Sequence, residues 1–206
     1  GPSSLAVGVA FGATLVFFVT ASPLTSAVNA IFLQYSAPLY LLLLGPWLLG
    51  EPNRRSDLAL IALLAIGMLL FFIGHETPSA TAPDPLRGNF IGACAGVSWA
   101  LTLLGMRWLA RQPDAAVAGG SAVIAGNVLA FAVCLPWALP MPETTPTDWA
   151  VVFYLAVFQI GVAYLCLLRG IREIRTLEIA LLLAIEPVAS GVWAWLVHGE
   201  IPSTMA

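Results

Sequence analysis

The chain has 206 residues, 60% of them hydrophobic and only 9% charged, with eight arginines, no lysine and a formal charge of −3. A soluble domain carries about a quarter charged residues, whereas the first 50 positions here carry none, so a soluble fold is excluded and an integral membrane protein is implied. The absence of lysine also excludes a retinal protein, which needs one for its Schiff base.

A membrane-crossing helix needs about twenty mostly apolar residues. By that measure the chain holds seven, at 5–21, 25–49, 57–74, 88–110, 116–139, 147–168 and 177–198. The breaks between them carry turn chemistry: ASPLTS, GEPNRRSD, HETPSATAPDPLRG, RQPD, MPETTPTD and RGIREIRT. Barrel strands are excluded, because these runs are too long and do not alternate. The expected fold class is therefore all-α and polytopic.

Polar groups inside these spans are costly and so mark function or helix contacts. The second span has a stripe of Ser22, Thr25, Ser26, Asn29, Ser36 and Tyr40, gathered within about a third of the helix circumference. Gln34, Pro38 and Gly45 project the opposite way. One face lines a pathway and the other packs, and the pattern leaves open which. The fourth span carries Gly88, Gly92, Gly96 and Ala100, a small-residue ridge suited to close helix approach. Gln34, Ser98, Asn127, Gln159 and Glu186 all fall near the middle of their spans, the depth at which transporter sites are built.

Glu186 is the single mid-span carboxylate. Ser190 and Trp193 share its face at helical spacing, and Pro187 behind it permits a kink. Carboxylates at this depth serve as proton carriers or bind cationic groups; the bland alternative is a hydrogen-bonded carboxyl with a structural role. Trp47, Trp108, Trp137, Trp149 and Trp195 lie near span ends, where amphipathic rings favour the interface. Cys94, Cys134 and Cys166 lie in apolar runs without metal-ligand or disulfide spacing, so neither a metal nor a cofactor is expected.

The arginines set an orientation. Loops alternate sides, and one side receives Arg54, Arg55, Arg107, Arg111, Arg169, Arg172 and Arg175 while the other receives Arg87 alone. The Arg-rich side is expected to be cytoplasmic, which puts the N-terminal side inside and the C-terminal end outside. PLYLLLLGPWLLGE (38–51) and PVASGVWAWLVHGE (187–200) share Pro, Gly and Glu at an offset of 149. With an odd number of helices between them they cross in opposite directions, the mark of an inverted repeat.

TSAVNAIFLQYSAPLYLLLLGPWLLGE (25–51) with SDLALIALLAIGMLLFFIG (56–74), and LEIALLLAIEPVASGVWAWLVHGE (177–200), resemble the two half signatures of the EamA family in the drug/metabolite transporter superfamily. The resemblance implies a ten-helix protein of two inverted five-helix halves, of which this chain supplies helices three to nine. Residues 1–76 would be the later part of the first repeat, and 86–206 the second repeat lacking its last helix, so that the sequence is a fragment. It implies a secondary transporter in a bacterial inner membrane, exporting a small metabolite or amino-acid-like solute by proton antiport. Asn29, Gln34, Ser98, Asn127, Gln159, Ser190 and Trp193 would line the cavity, with Glu186 the proton-coupling group. Its partners would be the bilayer and a small solute, with no nucleic acid. The competing readings are a non-transporting receptor or assembly subunit, and an intramembrane enzyme. For the latter the sequence lacks paired mid-span carboxylates, GxSxG and HExxH.

Overall fold

A computed structural model of the chain describes residues 1–55, 57–59, 61–63, 65–66, 82–140, 143–183, 185–186 and 189. Every regular element among them is helical: α1 (Pro2–Ala21), α2 (Ala27–Gln34), α3 (Ala37–Leu49), α4 (Pro85–Ala110), α5 (Ala115–Ala138), α6 (Pro146–Tyr154), a π-helical stretch (Leu155–Val162), α7 (Ala163–Glu173) and α8 (Thr176–Leu183). Further helical residues follow Arg55. Five segments among the described residues are long and apolar enough to cross a membrane, and they coincide with five of the seven expected spans. Most of 57–74 and of 177–198 lies outside the described residues.

The centre of the bundle is α4, which packs against α1, α2, α3, α5, α7 and α8. Its Trp99, Ala100, Leu103, Leu104, Met106 and Leu109 are buried among Val7 and Phe11 of α1, Leu41 and Leu49 of α3, and Ile171 of α7. Membrane helices gain little from expelling water between them, so close backbone contact has to supply the attraction. The glycines provide it. A Cβ on Gly126 of α5 would meet the Gly8 carbonyl at 2.8 Å, and one on Gly12 would meet the Gly126 carbonyl at 2.9 Å. The ridge on α4 works in the same way. Gly88 faces Thr25, Gly92 faces Leu33, and Gly96 faces Ser36 and the Leu33 carbonyl.

Two spans depart from the uninterrupted helices that hydropathy suggests. The second is broken between α2 and α3. Pro38 has no amide to give the Gln34 carbonyl, so α2 ends at Gln34 and α3 starts at Ala37, with Tyr35 and Ser36 forming the turn between them. The broken turn satisfies itself, as backbone in hydrocarbon must. The Tyr35 amide reaches the Ile31 carbonyl at 3.0 Å and the Ser36 hydroxyl reaches the Leu33 carbonyl at 2.6 Å. The sixth span is continuous but loosens to π-helical winding over Leu155–Val162, a form that recurs at functional positions. No residue of α6 or of the π stretch is buried.

Candidate functional site

The break in the second span carries the functional geometry. Tyr35 sits at the closing turn of α2, and its hydroxyl donates to the Glu186 carboxylate at 2.5 Å. The two residues are 151 positions apart in sequence. Tyr164, on the first turn of α7, lies within electrostatic reach of the same carboxylate. Its ring packs on Phe11 of α1 with centroids 4.9 Å apart. The exposed Glu186 carboxylate is thus held by Tyr35 next to a discontinuity in a membrane helix. Gln34, directly before Tyr35, is half-buried at that break.

The remaining candidates are dispersed. Asn29 is buried, and its amide reaches Asn89 of α4 at 3.4 Å while the Thr25 hydroxyl donates to the same Asn89 oxygen at 2.6 Å. Three residues of the polar stripe of the second span, Thr25, Asn29 and Ser36, lie against α4. Ser98 is buried in α4, its carbonyl accepting from the Thr102 hydroxyl at 2.8 Å. Asn127 turns back on its own helix to the Val123 carbonyl at 2.9 Å. Gln159 is exposed in the π stretch. Ser190 and Trp193 lie outside the described residues.

A second polar constellation lies at the Arg-rich end, where four of the seven arginines assigned to one side come together. Gly50 ends α3 in the left-handed conformation, φ 65°, which a glycine adopts without strain. The turn delivers Glu51 inward. Its carboxylate accepts from Arg107 at 3.0 Å, Arg111 at 2.9 Å and the Thr176 amide at 3.0 Å. Arg111 also donates to the Leu49 carbonyl at 2.7 Å, and Arg107 donates to the Ile171 carbonyl. Guanidinium groups thereby sit on the C-terminal carbonyls of α3 and α7, where the helix dipole favours positive charge.

Beside this group Arg175 spans Asp57 at 2.9 Å and Glu178 at 2.9 Å, and also donates to the Pro52 carbonyl at 3.2 Å. The Asp57 carboxylate, followed by Glu178, holds the Arg175 guanidinium above even its usual high range, against the opposing effect of burial. Asn53 completes the end by donating to the Leu42 carbonyl at 2.9 Å. That carbonyl is the one left without an amide by Pro46, inside α3.

The sequence alone shows a Gly-Glu pair at 50–51 after an apolar run, and Gly50 ends α3 there. Sequence has no means of pairing Glu51 with Arg107, because the two are 56 residues apart. Tyr35 likewise gives no local sign, since a tyrosine in an apolar run reads as packing or as an interface residue.

A polytopic helical membrane protein with a broken span beside a carboxylate has features of the architecture in which solute pathways are built. Residues 86–206 match the model of the EamA-like transporter family, and the chain belongs to that family. An uncharacterized transporter of Methanothermobacter thermautotrophicus is 24% identical over 194 residues, covering 92% of this chain and 55% of that protein. The chain spans about half the length of that curated relative. A solved structure, described only as a crystal structure of a protein, shares the fold with a TM-score of 0.66 at 19% identity, over 100% of this chain and 82% of its own.

Proposed function

We propose that the protein is a secondary transporter of the drug/metabolite type. It moves a small metabolite or amino-acid-like solute outward in exchange for protons, with its Arg-rich end in the cytoplasm. One observation carries the reading beyond family membership: the Tyr35–Glu186 contact at the broken second span. A carboxylate at this depth changes charge where charge is most expensive, and the break gives it a place where backbone can rearrange without unwinding a whole helix. Gln34, at the same break, is the best placed of the other polar groups to meet a solute. Asn29 and Asn127 serve helix packing in this reading, and Gln159 sits on the exposed π stretch. Ser190 and Trp193 are proposed as cavity residues on their helical spacing from Glu186 alone. The same carboxylate beside Tyr35 also supports recognition of a cationic group, which is the second reading.

The exported solute is found by comparing the medium of cells with the full-length gene present and deleted. Glu186→Gln in the full-length protein should then insert normally but lose accumulation driven by a pH gradient, while exchange down the solute's own gradient survives. Glu186→Asp should keep partial activity with a shifted pH profile. A purely structural Glu186 predicts the reverse ranking, with Gln nearly neutral and Asp worse. Full proton-driven transport in Glu186→Gln removes this residue from the mechanism.

A further inference from the structure

All five ion pairs among the described residues lie at the Arg-rich end, and four of them join segments that the two proposed repeats contribute separately, the fifth being the local Arg175–Glu178 pair. Glu51 and Asp57 come from the first-half side, at the end of α3 and the helix that follows it. Arg107, Arg111 and Arg175 come from α4 and the α7–α8 turn. The links are not loosely solvated: the Glu51 side chain is 13% exposed and that of Asp57 5%. Beneath them lies a dry layer of Leu49, Ile61, Met106, Leu109, Ile171 and Leu177. At the opposite end the described ties between the same two parts are neutral, namely Thr25 and Asn29 with Asn89, and the Asp84 amide with the Leu24 carbonyl.

We infer that Glu51 is the latch of a gate. Held by Arg107, Arg111 and the Thr176 amide, it closes the pathway at the Arg-rich end, and its release is required for that end to open. The device rests on the transport reading, in which the pathway runs between the two halves. A permanent weld would satisfy every polar group it buries, and among the described residues this one does not. The Thr176 hydroxyl is buried and has no hydrogen-bond partner among the described residues, a cost that the closed arrangement bears and an open one relieves. Glu51 also ties the end of α3 to both α4 and α8 through one carboxylate, so a single displacement removes its links to the two helices together, leaving the Arg111 bond to the Leu49 carbonyl. A two-state element of this kind is what converts a small differential affinity into a change of access.

The test needs no substrate. In the full-length protein with Cys94, Cys134 and Cys166 replaced, a single cysteine is placed at Gln34, and an impermeant thiol reagent is applied to either side of oriented vesicles. With the latch intact, labelling should be slow from the Arg-rich side and fast from the other. Glu51→Gln keeps the shape and an acceptor for the Thr176 amide but loses both ion pairs. It should raise the ratio of Arg-rich-side to opposite-side labelling about tenfold, a modest shift of a two-state equilibrium. Arg111→Gln removes the more exposed of the two pairs, at 43% exposure, and should fold even if Glu51→Gln does not. It should shift the ratio in the same direction by about threefold. A lower melting temperature with an unchanged ratio in the folded variants means that Glu51 is only a structural tie, and overturns the inference while leaving the transport reading intact. No labelling from either side in any variant means that Gln34 does not face a pathway, and overturns both.

Discussion

The two ends of the molecule are built from the same kinds of helix but held by different forces. At the Arg-rich end, charged side chains close over buried apolar ones: Asp57 is 4% exposed as a residue, and Ile171 and Leu109 below it are 0% and 1%. Toward the other end, α5 loses its packing after Gly126 and α6 has no buried residue, with Phe131 64% and Phe153 72% exposed. Charge density alone would suggest the opposite, since charged groups prefer water and apolar groups shelter. In a membrane protein the apolar exterior is at home in lipid, so exposure of Phe131 and Phe153 costs nothing there. The charged end must instead be tied together, because Glu51, Asp57, Arg107 and Arg175 are mostly shielded from solvent.

Much of this plan was legible in the sequence. Span positions follow from hydropathy because the bilayer sets helix length, and the structure moves the ends of the five described spans by only a few residues. The Gly88–Gly92–Gly96 ridge is a local pattern with one physical use, and it meets α2 as that use requires. The break at Tyr35 was readable in principle from Pro38, but a proline within the first turn of a helix and one that interrupts a longer helix look alike in sequence. The loosened winding around Gln159 has no proline and no recognisable signal. The Arg-rich cluster was visible as a bias in loop composition, yet its pairings were not, because partners such as Arg175 and Asp57 are 118 residues apart. Sequence thus carries what is periodic and local. It does not carry which charges meet.

The comparison between the ends is tested most severely at Asp57. Asp57→Asn keeps the volume but leaves Arg175, whose side chain is 18% exposed, with its main carboxylate partner gone. Breaking a buried pair outright costs about 3 kcal/mol; Arg175 keeps Glu178 at 2.9 Å, so the loss here should be a part of that. The full-length protein in detergent should melt at a clearly lower temperature, and reversing the pair with Asp57→Arg and Arg175→Asp together should recover part of the loss. A shift of less than a degree for Asp57→Asn means that the Arg-rich end is not held by its ion pairs.

At the other end the strongest local device is the start of α6. The Thr145 hydroxyl accepts from the Asp148 amide at 3.3 Å, and the Asp148 carboxylate accepts from the Thr145 amide at 2.8 Å, a reciprocal capping box. Thr145→Ala should cost about 1 kcal/mol of helix stability. Because α6 has no buried residue, the loss should stay local. Hydrogen exchange should quicken over the first turn of α6 with little change in the melting temperature. A global loss of stability matching that of Asp57→Asn would show that the two ends are coupled and equally packed.

The smallest effect is expected at Arg54, and it separates burial from charge as the cause of the Arg-rich end's strength. Arg54 reaches the same Glu178 that Arg175 holds, but at 3.5 Å and with its side chain 67% exposed. Water screens such a pair, and ordering a long side chain offsets most of what remains, so exposed pairs contribute below about 0.5 kcal/mol. Glu178 keeps Arg175 at 2.9 Å when Arg54 is lost, so no carboxylate is left unpaired. Arg54→Gln should therefore leave the melting temperature of the full-length protein nearly unchanged, and the little it costs should vanish at high salt, while the cost of Asp57→Asn persists because its partner is shielded from ions. If Arg54→Gln instead destabilises as much as Asp57→Asn, and salt reduces both alike, the end is held by its total charge rather than by the few pairs that exclude water. The contrast between the two ends would then be one of composition, not of packing.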